Sequence, residues 1–164
     1  MYLWFKLIHV AAVIAFLGNI TTGLFWHRHA ARTRDPKFLL FTMDGIIRSD
    51  RIFTIPGVII ITTAGIFGAL NGNLPLIRTG WIFWTIILFS ISGFAFMYRV
   101  APLQRKLRAL AAAGAEAAGR GAGGGAAFDY AAYHAVTRQW EAWGSVALIA
   151  PLLGMALMIL KPAL

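Results

Sequence analysis

The chain contains no cysteine and little negative charge. Its 164 residues include 6 Asp and Glu against 15 Lys and Arg, for a formal net charge of +9. Without cysteine there is no disulfide framework and no thiolate metal or redox site. The acidic residues are too few and too scattered along the chain for a dedicated carboxylate metal centre.

Apolar side chains are what the sequence has in excess. They make up 59% of the residues, more than a soluble domain of this length buries in one core. Each of the four apolar blocks is close to the roughly 20 residues that a helix needs to cross a bilayer. The sequence therefore predicts an all-α, integral membrane four-helix bundle that forms one domain over residues 1–164, with spans at residues 2–26, 52–70, 80–100 and 141–160.

The positive charges predict the orientation of these spans. They concentrate in two connections, from Arg28 to Arg51 and from Arg99 to Arg138, and basic connections stay in the cytoplasm. We therefore expect a multi-pass protein of a bacterial inner membrane with both termini outside and anionic lipid at the inner face. No basic face with groove-reading or aromatic elements lies outside the spans, which excludes nucleic-acid binding.

The two basic connections differ in composition. Residues 37–48 mix apolar and charged side chains, a pattern typical of a short amphipathic helix on the inner face of the membrane. Residues 111–127 are almost wholly Ala and Gly. Because such a segment has little to bury, we expect a mobile cytoplasmic linker there.

His9 is the leading candidate for chemistry, since an ionisable group inside a span usually faces a partner or a cavity. Two interpretations stay open. In one, a neutral His9 forms a hydrogen bond with a neighbouring helix and holds the bundle together. In the other, His9 is an axial ligand of haem iron, because imidazole suits iron and such cofactors sit in bundle cores.

The first span, WFKLIHVAAVIAFLG at residues 4–18, resembles that of the HemJ-type protoporphyrinogen oxidases, bacterial four-span proteins. Weaker similarities are Phe53–Gly57 and Lys161–Pro162. From Tyr2 to Lys161 the chain is similar to a family of unknown function, DUF2269. The HemJ resemblance implies haem b bound by His9. Those enzymes carry a functional lysine in the third span, and none occurs here between Gly80 and Tyr98, so the resemblance implies His9 as a haem ligand and leaves the enzymatic activity open.

Membrane depth limits the second axial ligand of such a haem. His134 and His27 lie at the basic end of the spans, whereas His9 belongs to the outer half. The fourth span runs outward and places Met155 near the depth of His9. Ligation by a His/Met pair raises the reduction potential of haem. The alternative ligand scheme is five-coordinate haem on His9 alone. Met155 also has an interpretation without haem, in which it fills a gap between apolar helices.

A second candidate site is formed by arginines near the ends of the spans that border the two basic connections. Guanidinium groups match carboxylates in geometry, so these arginines are candidates to bind haem propionates or an acidic porphyrin. They equally suit anionic lipid and helix ends. Asp50 and Glu141, each beside an arginine, are the acids expected to form ion pairs. The candidate cofactor-binding arginines are Arg48, Arg51, Arg99 and Arg138.

Two functions follow from these observations. One is a membrane haem protein in redox or porphyrin chemistry, with a quinone or porphyrin as partner and a haem-dependent oxidoreductase activity as an open question. The other is a non-catalytic membrane subunit or small carrier of the same fold without a cofactor. Transport of an ion through only four spans would require a homo-oligomer.

Overall fold

A computed structural model describes residues 1–119 and 128–163, which are almost entirely helical. Two π-helical turns make two pairs of these helices continuous: Asp50–Thr54 joins α2 to α3, and Phe96–Val100 joins α4 to α5. The α-helices of the described residues are α1 Tyr2–Ala31, α2 Pro36–Ser49, α3 Ile55–Asn71, α4 Gly80–Ala95, α5 Ala101–Gly119 and α6 Tyr130–Leu160.

In this described part of the chain, four continuous helices are long and apolar enough to cross a membrane. They are Tyr2–Ala31, Pro36–Asn71, Gly80–Gly119 and Tyr130–Leu160. The prediction of an all-α membrane protein with four spans is confirmed.

The helices that contain α2–α3 and α4–α5 are longer than a bilayer requires. They have 36 and 40 residues, or about 54 and 60 Å at 1.5 Å per residue, against a hydrocarbon thickness of about 30 Å. Their excess length packs with the end of α1 and the start of α6. We call this part the basic-end bundle. Its core contains Ala30, Leu39, Met43, Leu107, Tyr133 and Trp140.

The segment with the amphipathic pattern forms α2, which begins at Pro36 after Asp35 caps the backbone N–H of Lys37. Its apolar side chains Leu39 and Met43 are fully buried. They belong to the core shared with α1, α5 and α6. The amphipathic face of α2 is therefore covered by protein and not by the surface of the membrane.

The Ala/Gly-rich segment differs from the prediction. Residues 111–119 continue α5, Ala111 is fully buried, and Gly114 lies against Phe128 and Pro36. A mobile linker over 111–127 is thus wrong for residues 111–119, because small side chains let α5 pack closely on its neighbours. Residues 120–127 lie outside the described residues.

We call the rest of the bundle, away from the basic-end bundle, the spanning half. There α1 packs on α3 and α4 packs on α6. Small residues allow the close approach: Gly68 faces Phe5, and Gly154 faces Thr85. The Ser92 hydroxyl donates to the Ala147 carbonyl at 2.6 Å. Such contacts hold helices together in lipid, where the hydrophobic effect between helices is weak. The outward faces carry large exposed apolar side chains, among them Trp4, Ile59, Phe94 and Ile159.

Candidate functional site

His9 lies at the contact between α1 and α3. Its Nδ1 is 2.9 Å from the backbone carbonyl oxygen of Ile61. Since a carbonyl only accepts, Nδ1 carries the proton and donates it, and Nε2 keeps its lone pair. Gly65 leaves room for the ring, because a Cβ there would lie 3.1 Å from Cε1 and Nδ1 of His9. A ring held by Nδ1–H with Nε2 left open is the arrangement of metal-binding histidines.

Met155 is on the other helix pair, where the neighbouring residue Gly154 packs on α4. Its depth is nevertheless similar to that of His9. Phe16 of α1 and Leu148 of α6 belong to one apolar cluster. His9 lies seven residues before Phe16 and Met155 seven residues after Leu148, so each is about 10 Å from that cluster along its helix. A ligand that joined His9 to Met155 would lie between the two helix pairs.

The four candidate arginines are all exposed near the basic end. The Arg99 guanidinium lies over the ring of Trp143, 5.2 Å from its centroid. The next residue, Gly144, packs on Leu24 of α1, which is about 22 Å from His9 along the helix axis. Arg99 is therefore out of reach of a cofactor ligated by His9, and so is Arg138, which lies further toward the basic end. Arg48 and Arg51 flank Asp50, about 15 Å from His9 in depth.

Of the two acids expected to form ion pairs, one does. The Glu141 carboxylate accepts from Nε of Arg28 at 3.1 Å, which confirms the expectation for Glu141. For Asp50 the expectation is wrong, since no salt bridge to it occurs among the described residues. A further ion pair joins Asp44 of α2 to Arg108 of α5.

Asp50 forms hydrogen bonds with neutral side chains from three of the long helices. It is 7% exposed and begins the π-helical turn that leads into α3. Its Oδ1 accepts from Asn19 Nδ2 at 2.9 Å and from Thr54 Oγ1 at 2.7 Å. Its Oδ2 accepts from Gln104 Nε2 at 2.8 Å. We call Asn19, Asp50, Thr54 and Gln104 the Asp50 cluster.

A small cavity adjoins the Asp50 cluster at the boundary between the spanning half and the basic-end bundle. Its volume is about 20 Å³, enough for one water molecule, which requires about 10–15 Å³. Phe96 and Val100 of the second π-helical turn contribute to its wall together with residues of α1 and α6. Its polar lining residues are Asn19, Asp50, Gln104 and Trp140.

His27 is fully buried against Trp140 rather than at the surface. Its Nε2 lies 3.0 Å from the Tyr133 hydroxyl, and its ring centroid is 4.7 Å from that of Trp140. Its Nδ1 has no hydrogen-bond partner in the described residues, and neither have Thr137 Oγ1 and Trp140 Nε1. His29 and His134 are exposed, so the four histidines do not gather at one place.

Comparison with known proteins supplies the family. Residues 3–162 match the model described as "Predicted integral membrane protein (DUF2269)". The chain belongs to this family. No curated protein and no solved structure matches it. Membership agrees with the four apolar helices and assigns no chemistry to His9 or to the Asp50 cluster.

Proposed function

We propose that this DUF2269 protein is a bacterial inner-membrane protein that binds b-type haem through His9 and acts in membrane redox or porphyrin chemistry. The supporting observation is the hydrogen bond from Nδ1 of His9 to the Ile61 carbonyl. This bond orients the imidazole and leaves Nε2 as the atom that would hold the iron. When bound, haem would supply one-electron redox chemistry at this position.

Haem fits this donor set better than a bare metal ion does. No group of three or more His, Cys, Asp or Glu side chains gathers in residues 1–119 and 128–163. A bare transition-metal ion normally takes three or four protein ligands. Haem brings its own equatorial nitrogens and needs one or two axial ligands from the protein, which a single half-buried histidine satisfies.

Met155 is the proposed second ligand, and five-coordinate haem is the alternative. The similar depth of His9 and Met155 supports the pair; Met155 is an exposed side chain of α6 and would be the residue that supplies the second ligand atom, its thioether sulfur. A Met155→Leu variant separates the two schemes. The pair predicts a change to a high-spin spectrum and a lower reduction potential, whereas five-coordinate haem predicts no change.

The exposed arginines have a separate role in this proposal. Arg99 and Arg138 are too far from His9 to bind the propionates of its haem, so we assign them to anionic lipid or an acidic porphyrin at the inner face. Arg48 and Arg51, closer in depth, are the arginines that remain candidates for the propionates. A quinone is the other electron partner that this location favours.

The test is an absorption spectrum of the protein purified in detergent after haem-replete expression, oxidised and dithionite-reduced. The proposal predicts Soret and α bands of b-type haem in the wild type. His9→Ala should abolish these bands while the protein still inserts, because insertion depends on the apolar spans. His29→Ala is the matched control: this histidine lies on the same helix, is exposed, and should leave the spectrum unchanged.

The same hydrogen bond also favours a second candidate function. It joins α1 to α3 across a helix interface, as polar side chains do in membrane bundles. A non-catalytic subunit or small carrier would keep this contact without any cofactor. A wild-type protein without haem bands, together with a lower stability of the His9→Ala variant against unfolding, would support this second function.

A further inference from the structure

Asp50 is a buried acid without a basic partner among the described residues, and this feature is independent of haem. All the groups that donate to it, from Asn19, Thr54 and Gln104, are neutral. A carboxylate removed from water normally requires an opposite charge or a proton. In a membrane bundle, an ionisable side chain of this kind usually marks a proton or ion pathway.

The charged groups on the elements around Asp50 do not compensate it. Arg48 and Arg51, on its own helix, and Arg105 of α5 are exposed. On the other elements, Arg99 lies over Trp143, Arg28 of α1 pairs with Glu141 of α6, Arg108 of α5 pairs with Asp44, and the buried His27 of α1 contacts Tyr133. The negative charge of an ionised Asp50 would therefore have no fixed counterion among the described side chains.

The residues that line the adjoining cavity indicate which small molecule or ion can occupy it next to Asp50. Trp140 lines it and is 2% exposed, yet its indole N–H has no hydrogen-bond partner in the described part of the chain. An indole N–H only donates. A water molecule in the cavity can accept from Trp140 and donate to the carboxylate at once. Asp50 is the one His, Cys, Asp or Glu side chain among the residues that line the cavity, whereas a bare metal ion normally takes three or four such ligands. These few polar side chains in an otherwise apolar wall thus suit one water molecule better than a metal ion.

We propose that Asp50 is a proton-binding site inside the bundle, which exchanges its proton through a water molecule held between Asp50 and Trp140. A hydronium ion in the cavity gives up one proton, an O–H bond forms on a carboxylate oxygen of Asp50, and neutral water remains. The reverse transfer restores the carboxylate. The amide groups of Asn19 and Gln104 hold the carboxyl group in place in both states. Both π-helical turns border the site, and π-helical turns often mark functional sites.

Infrared difference spectroscopy of the wild-type protein in lipid tests the proposal. Besides the component from the exposed acids, which titrates at about pH 4, we expect a separate protonated-carboxyl C=O band that shifts in D₂O and disappears with its own midpoint within the range where carboxyl groups titrate in proteins, about pH 3 to 9. Asp50→Asn should remove this band. Asp44→Asn is the matched control, because Asp44 is an exposed acid on the same helix, and its removal should leave the band in place.

Trp140→Phe tests the water route with the carboxyl group intact. Loss of the indole N–H should shift the pH midpoint of the band, whereas Trp84→Phe, at an exposed tryptophan, should not. A purely structural Asp50 would leave no titrating component in the wild type beyond that of the exposed acids, and that result overturns the proposal even if Asp50→Asn fails to fold. An unchanged midpoint in Trp140→Phe would overturn the water route.

Discussion

His9 and Asn19, the two polar side chains that stand out in the first apolar span, both bind the neighbouring long helix. His9 donates to a backbone carbonyl of α3, whereas Asn19 donates to Asp50 and Thr54 at the π-helical turn. The first contact leaves a ring nitrogen open for a ligand. The second contact belongs to the Asp50 cluster, whose side chains form hydrogen bonds with one another. One span therefore contributes to two chemically different sites.

Gln104→Leu should destabilise the bundle. It removes one of the donors to a buried carboxylate, and an unsatisfied buried acceptor costs about 1–3 kcal/mol. Unfolding in a denaturing detergent, followed by circular dichroism, measures the change. The control is Gln139→Leu, since Gln139 is exposed on α6. Equal stability of the two variants would contradict the role given to the Asp50 cluster.

Gly65→Ala should displace the His9 ring, because the new Cβ would lie 3.1 Å from Cε1 and Nδ1. Overpacking of this kind costs about 1–3 kcal/mol. At Gly93, by contrast, no atom of the described residues outside its own stretch of helix lies within 4 Å of an added Cβ, and Ala should stabilise the helix by about 0.5–1 kcal/mol. Thermal unfolding of both variants in detergent is the measurement, and a stabilised Gly65→Ala variant would contradict the close α1–α3 contact at His9.

The sequence predicted some of these side-chain contacts and missed others. Glu141 could be predicted to pair with an arginine because it lies among exposed basic residues at the end of a span. Asp50 has arginines beside it in sequence, but it turns toward α1 and α5 instead. Gln104, 54 residues further along the chain, becomes its partner only through the packing of α5 against the end of α2, which no local pattern reveals.

At the scale of elements, the second and third spanning helices are longer than predicted. Residues 37–48, expected to be a separate amphipathic helix, and residues 111–119, expected to be part of a linker, continue these helices within α2 and α5. The buried contacts of Leu39, Leu107 and Ala111 explain this continuity. Hydrophobic periodicity identified the spans well because they are long, whereas helix ends held by tertiary packing carry a weak local signal.

Gly114→Leu tests whether the end of α5 is structural. An added Cβ would lie 2.9 Å from the Pro36 Cβ and against the Phe128 ring, so we expect a loss of about 1–3 kcal/mol from overpacking. Gly45→Leu, at an exposed glycine of α2, is the matched control, since among the described residues no atom outside its own stretch of helix lies within 4 Å of a Cβ there. Equal thermal stability of the two variants would show that this segment does not pack on α2.

At the scale of the whole molecule, composition alone predicted the fold class. The structure adds the basic-end bundle, which contains most of the fully buried large side chains. It also adds two helix pairs whose outward faces carry many exposed apolar side chains. Which end faces the cytoplasm follows only from the positive-inside bias and stays a prediction.

Single-cysteine labelling can test this orientation without background, because the chain has no cysteine. An impermeant thiol reagent on intact cells should label Asn73→Cys, in the turn between α3 and α4, and should spare Arg34→Cys, between α1 and α2. Both positions are exposed, and labelling after lysis checks that both can react. The reverse pattern would place the termini in the cytoplasm.

The ligand role of His9 is the central claim, and rescue by imidazole tests it most directly. We expect the reduced-minus-oxidised spectrum of wild type to show b-type haem, the bands to vanish in His9→Ala, and added imidazole to restore them by occupying the vacated ligand position. A purely structural histidine would not be replaced in this way. A wild type without haem after haem-replete expression, or a His9→Ala variant that keeps a normal haem spectrum, would contradict the account.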